Sequence, residues 1–237
     1  MKQNFSYLLI GNGRLASHLR FYLQSQNIRV INWNRKDHTQ KDLEAASKNV
    51  NAVLLAIKDS VIDLFLEEYP FLKEKICVHF SGALVLENIV GLHPLMTFAD
   101  QLYSIDFYKK IPFIAEKGHL SFNEVFPALE NPSYALDPEL KPLYHSLCVM
   151  GGNFTTLLWS KVFKSFEDQL GLPHTVLLPY LDKISENLKN NFNTALTGPL
   201  ARKDISTIQA NLKALKDDNY LEVYKSFVQA TLPEIKL

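Results

Sequence analysis

The chain has 237 residues, 47% hydrophobic and 21% charged, the make-up of a soluble globular protein long enough to bury a sizeable core. Its 25 Lys and Arg balance 25 Asp and Glu, and neither half carries the basic excess of a phosphate-backbone binder, so nucleic acid is not an expected partner. The two cysteines, Cys77 and Cys148, lie far apart, which excludes a disulfide framework and a thiolate zinc site. No stretch approaches the roughly 18 apolar residues of a membrane span. The N-terminal apolar run is too short for a secretory signal, so the expected setting is the cytoplasm, away from membranes.

FSYLLI (5–10) reads as a short apolar strand buried on both faces. In the next segment Leu15, Ala16, Leu19, Tyr22 and Leu23 recur at helical spacing, and Asn27 closes the helix. IRVINW (28–33) is a second strand, followed by a weaker helix near 41–48. NAVLLAI (51–57) is a third strand, a helix runs from about Ser60 to Tyr69-Pro70, and KICVHF (75–80) is a fourth strand. This alternation predicts a mostly parallel sheet with helices on both faces, an α/β fold. GLHPL (91–95) and IPFIAE (111–116) read as further strands, with Pro112 favouring an edge position. After a helix near 121–129 comes a proline-rich connector, and from Pro138 onward only helical patterns occur: 139–170, 174–193, and two or three between 203 and 230. Two domains are expected, 1–137 and 138–237.

The strongest local signal is Gly11-Asn12-Gly13-Arg14-Leu15-Ala16, a G-x-G-x-x-A that follows a predicted strand and opens a predicted helix. Gly11 permits the tight turn, Gly13 lets a pyrophosphate approach the backbone, and Ala16 lets helix and strand pack closely. With the third strand's terminal residues Ala56 and Ile57, this segment forms the expected dinucleotide site. A carboxylate at the end of the second strand would select NAD(H) by bonding the ribose 2′-hydroxyl. Here that place holds Asn34, Arg35 and Lys36, which suit a 2′-phosphate, so the expected cofactor is NADP(H).

The seven histidines show no HExxH or paired ligand spacing, and no metal site is expected. His93, near the end of a short strand, falls where the ligand crevice of a parallel sheet lies. Ser81 ends the fourth strand at the same crevice, whereas His79, inside that strand, reads as a core residue. His145 and Asn153 share a predicted helix, about 80° apart at 3.6 residues per turn, and could line one cleft. In ALTGPLARKD (195–204) Gly198-Pro199 breaks two helices, Asp204 can begin the next, and Thr197 and Arg202 could hold an anionic substrate group.

Four segments, GNGRLASHL (11–19), HFSGAL (79–84) with GLHPLMTF (91–98), YHSLCVMGGNF (144–154) and ALTGPLARKD (195–204), together resemble a little-characterised family assigned as NADP oxidoreductases. That family joins a Rossmann-like domain to a helical C-terminal domain. The last segment is similar to its A-L-T-G-P-x-x-R-G-D, with Lys203 in place of the glycine. His145 and Asn153 fall on the His and Asn of its Y-H pattern, where Gly152 replaces a serine. More distantly the layout is similar to prephenate dehydrogenase, pyrroline-5-carboxylate reductase and the 6-phosphogluconate dehydrogenase group. The prephenate dehydrogenase pattern places a strand-end serine and an H-P histidine on the substrate hydroxyl, the positions of Ser81 and His93 here, but its continuation is absent from MTFAD.

The resemblance implies an NADP(H)-dependent oxidoreductase acting on a small polar, anionic metabolite. His93 is then the expected proton donor or acceptor, because an ordinary imidazole titrates near pH 6.5. Ser81 would hold the substrate oxygen, and His145 and Asn153 would close the cleft. A homodimer formed through the helical domain is expected. The alternative is a non-catalytic NADP(H)-binding regulator, which needs Gly11, Gly13 and Arg35 but not the histidines.

Overall fold

Every residue of β1 (Ser6–Ile10) is buried because the strand is covered on both faces. Tyr7 and Leu9 enter one core while Leu8 and Ile10 enter another, the two-residue alternation of an extended chain. β3 (Ala52–Leu55) divides the same way, Ala52 and Leu54 against Val53 and Leu55. Helix α1 (Arg14–Ser25) covers the first face with Ala16, Leu19, Tyr22 and Leu23. On the second face lie α2 (Gln40–Lys48), through Leu43, and α3 (Ile62–Glu68), through Ile62 and Leu66. The computed structural model describes residues 5–235.

The remaining strands are β2 (Arg29–Trp33), β4 (Ile76–His79), β5 (Val90–Pro94), β6 (Phe113–Glu116) and β7 (Ser133–Leu136). They form one sheet in the order β2-β1-β3-β4-β5-β6-β7, in which every neighbouring pair is parallel except β5 and β6. The chain leaves β1 toward β2 on one side and continues toward β3 on the other, so the strand order reverses at β1, where crevices form in such sheets. The C-terminal ends of β1, β3, β4 and β5 share one edge, which therefore collects Gly11, Ala56, Ser81 and His93.

Two features of the sheet differ from expectation. Pro112 does not mark an edge: β6 is flanked by β5 and β7, and the proline stands just before the strand, where its missing N–H is not needed and its carbonyl accepts from Leu95. The edge strand is β7, inside the proline-rich connector, where four residues between Pro132 and Asp137 pair with β6 and present little apolar surface to read. Short helices α4 (Ile105–Tyr108) and α5 (Phe122–Val125) complete the sheet region. α5 starts with a capping box between Ser121 and Glu124, as α2 does between Thr39 and Asp42.

Helix α6 (Lys141–Cys148) passes through a π-helical turn (Val149–Phe154) into α7 (Thr155–Leu170). The chain divides into two compact units, one ending at Leu157 and one beginning at Leu158. The sheet ends at Leu136, beside the expected boundary at 137, but α6 groups with the sheet unit because Lys141 and Tyr144 bond to it. The second unit is helical, with α8 (Leu178–Asn191), α9 (Gly198–Arg202), α10 (Ile205–Ala214) and α11 (Leu221–Thr231); the last three share a small core of Ile208, Val228 and Leu232, against which Leu200 of α9 packs. Among the described residues no helix is long and apolar enough to cross a membrane.

The α9–α10 corner explains an anomaly of the sequence. Lys203 ends α9 in the left-handed region at φ 55°, and Asp204 then caps α10 by accepting from the Thr207 amide. A side chain in that region carries a steric cost that glycine lacks. Lys203→Gly should therefore stabilise the protein by about 1 kcal/mol, read as a higher denaturation midpoint at unchanged slope.

Candidate active site

At the end of β1 the backbone turns at Gly11, whose φ is 128° and whose N–H donates to the Trp33 carbonyl at 2.9 Å. A Cβ here would overlap the Ala56 carbonyl, so only glycine allows β1 and β3 to end side by side. Gly13 caps α1, and a Cβ on it would meet nothing within 4 Å, which leaves the start of the helix open. Asn12, Gly13 and Arg14 are exposed, and Leu15, Ala56 and Ile57 are half-buried around the turn. Asn32 holds the turn in place: its amide donates to the Leu9 and Gly11 carbonyls at 3.0 and 2.9 Å, and its oxygen accepts from Arg20 at 3.0 Å. Sequence reasoning missed Asn32, although an amide inside an apolar parallel strand was the available signal.

Beyond β2, Asn34 folds its own loop. Its side-chain oxygen accepts from the Lys36 and Asp37 amides and its NH2 donates to Asp37 at 3.1 Å. Arg35 and Lys36 remain exposed on that loop. The carboxylate of Asp37 is thereby turned onto Asn34.

A second group of side chains gathers at the ends of β4 and β5. The Ser81 hydroxyl donates to Asp59, in the turn after β3, and accepts from the Ala83 and Leu84 amides at 3.2 and 2.9 Å. Its single proton is thus committed within the fold, and the residue shapes the loop that follows β4. His93 Nδ1 lies 2.6 Å from the Tyr144 hydroxyl of α6, and the His93 and His145 rings stand edge to face, 6.4 Å apart. Both imidazoles pack over Gly82. A Cβ there would come within 2.7 Å of His145 Cδ2 and 3.1 Å of His93 Nε2. The structure therefore brings together Ser81, Gly82, His93 and His145, and adds Tyr144 and Asp59, to which the sequence assigned no role.

Burial pushes the His93 imidazole down to about 4; electrostatic interaction with His145, Lys141 and His79 adds to the shift, while Asp59 opposes it. An imidazole near 6.5 was expected. His93 is instead uncharged at neutral pH, and can donate a proton only from its uncharged ring.

Beneath this group lies a buried ion pair. Lys141, in the first turn of α6, bonds to the Glu116 carboxylate at the end of β6 and to the Leu84 carbonyl at 2.5 Å. The side chain of Glu116 occupies a hole in the sheet made by Gly91, where any Cβ would overlap the carboxylate. His79, fully buried as expected of a core histidine, lies 3.5 Å away. Burial raises the Glu116 carboxyl, but His79 and Lys141 together hold it below the usual range.

The other expected site residues are exposed. Asn153 is exposed on the π-helical turn, so the 80° phase expected from a continuous 3.6-residue helix does not relate it to His145. Thr197 and Arg202 belong to the second unit, exposed at the two ends of α9, where Thr197 is the N-cap and Arg202 lies in the last turn. Among the described residues no three His, Cys, Asp or Glu side chains are placed to hold a metal ion.

Residues 115–231 match the family described as Domain of unknown function (DUF2520). No curated protein matches the sequence. Among solved structures, the chain is similar to a Bacteroides fragilis protein named "putative NADP oxidoreductase", at 23% identity and TM-score 0.77 over 96% of this chain and 97% of that one. It is also similar to a Plasmodium falciparum pyrroline carboxylate reductase with NADP bound, at 14% identity and TM-score 0.60 over 96% and 99% of the two chains. A Myxococcus stipitatus imine reductase in complex with NADP+ matches at 15% identity and TM-score 0.63 over 95% and 92%. These likenesses show a Rossmann-like fold.

Two outcomes follow from the geometry. Gly91→Ala should displace Glu116 from Lys141 and cost about 3–5 kcal/mol, the scale of breaking a buried ion pair, measurable by denaturant unfolding. The unfolded chain takes up a proton at His93 near pH 6.5 while the folded one resists until about 4. Stability should therefore fall as pH drops through that window, and His93→Gln should flatten the slope there.

Proposed function

We propose that this protein is an NADP(H)-dependent oxidoreductase acting on a small polar, anionic metabolite. The observation that carries the reading is that one edge of the sheet holds both the open glycine turn at the start of α1 and the His93–Tyr144–His145 group over Gly82. The cofactor-bound reductases of similar fold support it.

The residues present fit the nucleotide. The amides of Asn12, Gly13, Arg14 and Leu15 at the open turn would take the pyrophosphate, with Ala56 and Ile57 alongside. Arg35 and Lys36 would pair with the 2′-phosphate, and Asn34, by drawing Asp37 onto itself, keeps the nearest carboxylate from opposing that charge. Bound NADP(H) would supply or accept hydride at its nicotinamide. The protein's part is to orient the substrate and manage a proton. His93 is the group placed to exchange that proton, with His145 packed against the same glycine. Ser81 fixes the loop carrying Gly82, and through that loop the floor under both imidazoles. Asn153, Thr197 and Arg202 complete the reading as residues that close the cleft and take the substrate's anionic group.

The reading includes a homodimer in the cytoplasm. Helices α7 and α8 bury no residue, and Leu170, Tyr180 and Leu188 are more than half exposed, an apolar surface that a second copy would cover. The test of the function is a calorimetric titration of NADPH and NADH into wild type and Arg35→Ala. NADPH should bind more tightly than NADH and lose at least about 1.4 kcal/mol, a factor of ten, in the variant. Absence of binding by either nucleotide at millimolar concentration would refute the reading.

A further inference from the structure

We propose that Tyr144 is a positioning residue for His93: its phenol donates to Nδ1, keeps the ring proton on Nε2, and so presents over Gly82 a donor that selects a substrate oxygen over a cationic nitrogen. The inference rests on the proposed role of His93 as the group that meets substrate.

The direction of the hydrogen bond follows from acidity. Oxygen and Nδ1 are 2.6 Å apart, and only one of the two can donate. A phenol, ordinarily near pKa 10, is a far stronger acid than an uncharged imidazole N–H, so the phenol donates and the lone pair of Nδ1 accepts. Burial raises the Tyr144 phenol further, which keeps its proton in place. The ring proton then resides on Nε2, the His93 atom nearest the Cβ position of Gly82.

The Nε2–H of His93 sets what can dock over Gly82, because the charged groups around the ring are engaged with one another. Helix α6 contributes Tyr144, His145 and Lys141, β4 contributes His79, and the turn after β3 contributes Asp59. Lys141 is paired with the Glu116 carboxylate and Asp59 is bonded to Ser81, so the full charges near His93 already have partners. An iminium nitrogen has no lone pair with which to accept from the Nε2–H, whereas a carbonyl oxygen has two.

The proton balance is complete. Bound NADPH would supply the hydride that forms the new C–H bond and would itself be oxidised; the protein's part is the proton for the carbonyl oxygen, to which the C=O π pair moves. The oxygen takes the Nε2 proton while Nδ1 draws on the phenolic proton; once product leaves, that proton returns to half-buried Tyr144 and Nε2 regains one proton from solvent in each turnover.

The test uses 1H–15N correlation spectra of the histidine rings, recorded on the full chain without nucleotide from pH 8 down to 4. Wild type is compared with Tyr144→Phe, and His93 is assigned through His93→Gln. The wild-type spectrum should place the proton on Nε2, with Nδ1 shifted as a hydrogen-bond acceptor. In Tyr144→Phe the Nδ1 signal should move to that of an unbonded ring nitrogen. The protonation midpoint of His93 should also rise, because a donor to the lone pair favours the uncharged ring. A proton on Nδ1 in wild type, or a midpoint that falls or stays put in the variant, overturns the proposal. Tyr144→Leu serves as the second variant should the first lose its dispersed amide spectrum. Since no nucleotide is present, this result is independent of the calorimetric test of cofactor binding.

Discussion

A lysine and a glutamate removed from water lose several kcal/mol of hydration each, and that loss is recovered only if the partner charge and further hydrogen bonds are in place. Lys141 and Glu116 meet this condition through each other and through the Leu84 carbonyl. Their meeting point lies in the first turn of α6, so the pair fastens that helix to the end of β6. Tyr144 and His145 follow Lys141 by three and four residues, on the same side of the helix, and are thereby carried to the end of β5. The placement of both side chains against His93 and Gly82 depends on this anchor.

The same anchor sets the charge of the site. Burial, with the Lys141 ammonium and two imidazoles nearby adding to it, keeps His93 uncharged. The site therefore combines a weak, uncharged donor with charged groups that are already paired, so the donor's own polarity faces an approaching oxygen. Ser81 contributes through geometry, because its hydroxyl organises the loop whose glycine forms the floor beneath both rings.

Much of the sheet was legible in the sequence because β1, β3 and β4 are buried on both faces and leave short apolar runs between helices of clear period. The glycine turn was legible for the same reason, since its motif joins two such elements. β7 was not, because an edge strand of four mostly exposed residues between prolines carries no periodic signal. His93 could be placed at the crevice from its position in a strand, but its acidity could not, because that depends first on burial by other segments and then on His145, Lys141 and His79. Tyr144 sat unremarked in the Y-H pair until the helix brought it to His93. Spacing alone could not relate His145 to Asn153, since the π-helical turn between them changes the phase of the helix.

The hole at Gly91 has a consequence for how this architecture can change over time. A larger residue at 91 excludes Glu116, loss of Glu116 strands Lys141, and loss of Lys141 leaves Glu116 with a charge in the protein interior. Each single step is costly, although a wholly apolar substitute for the trio need not be. The three positions, drawn from separate segments of the chain, should therefore be inherited as a set. Lineages that abandon the set should do so together with the tyrosine and histidine that α6 carries to the sheet.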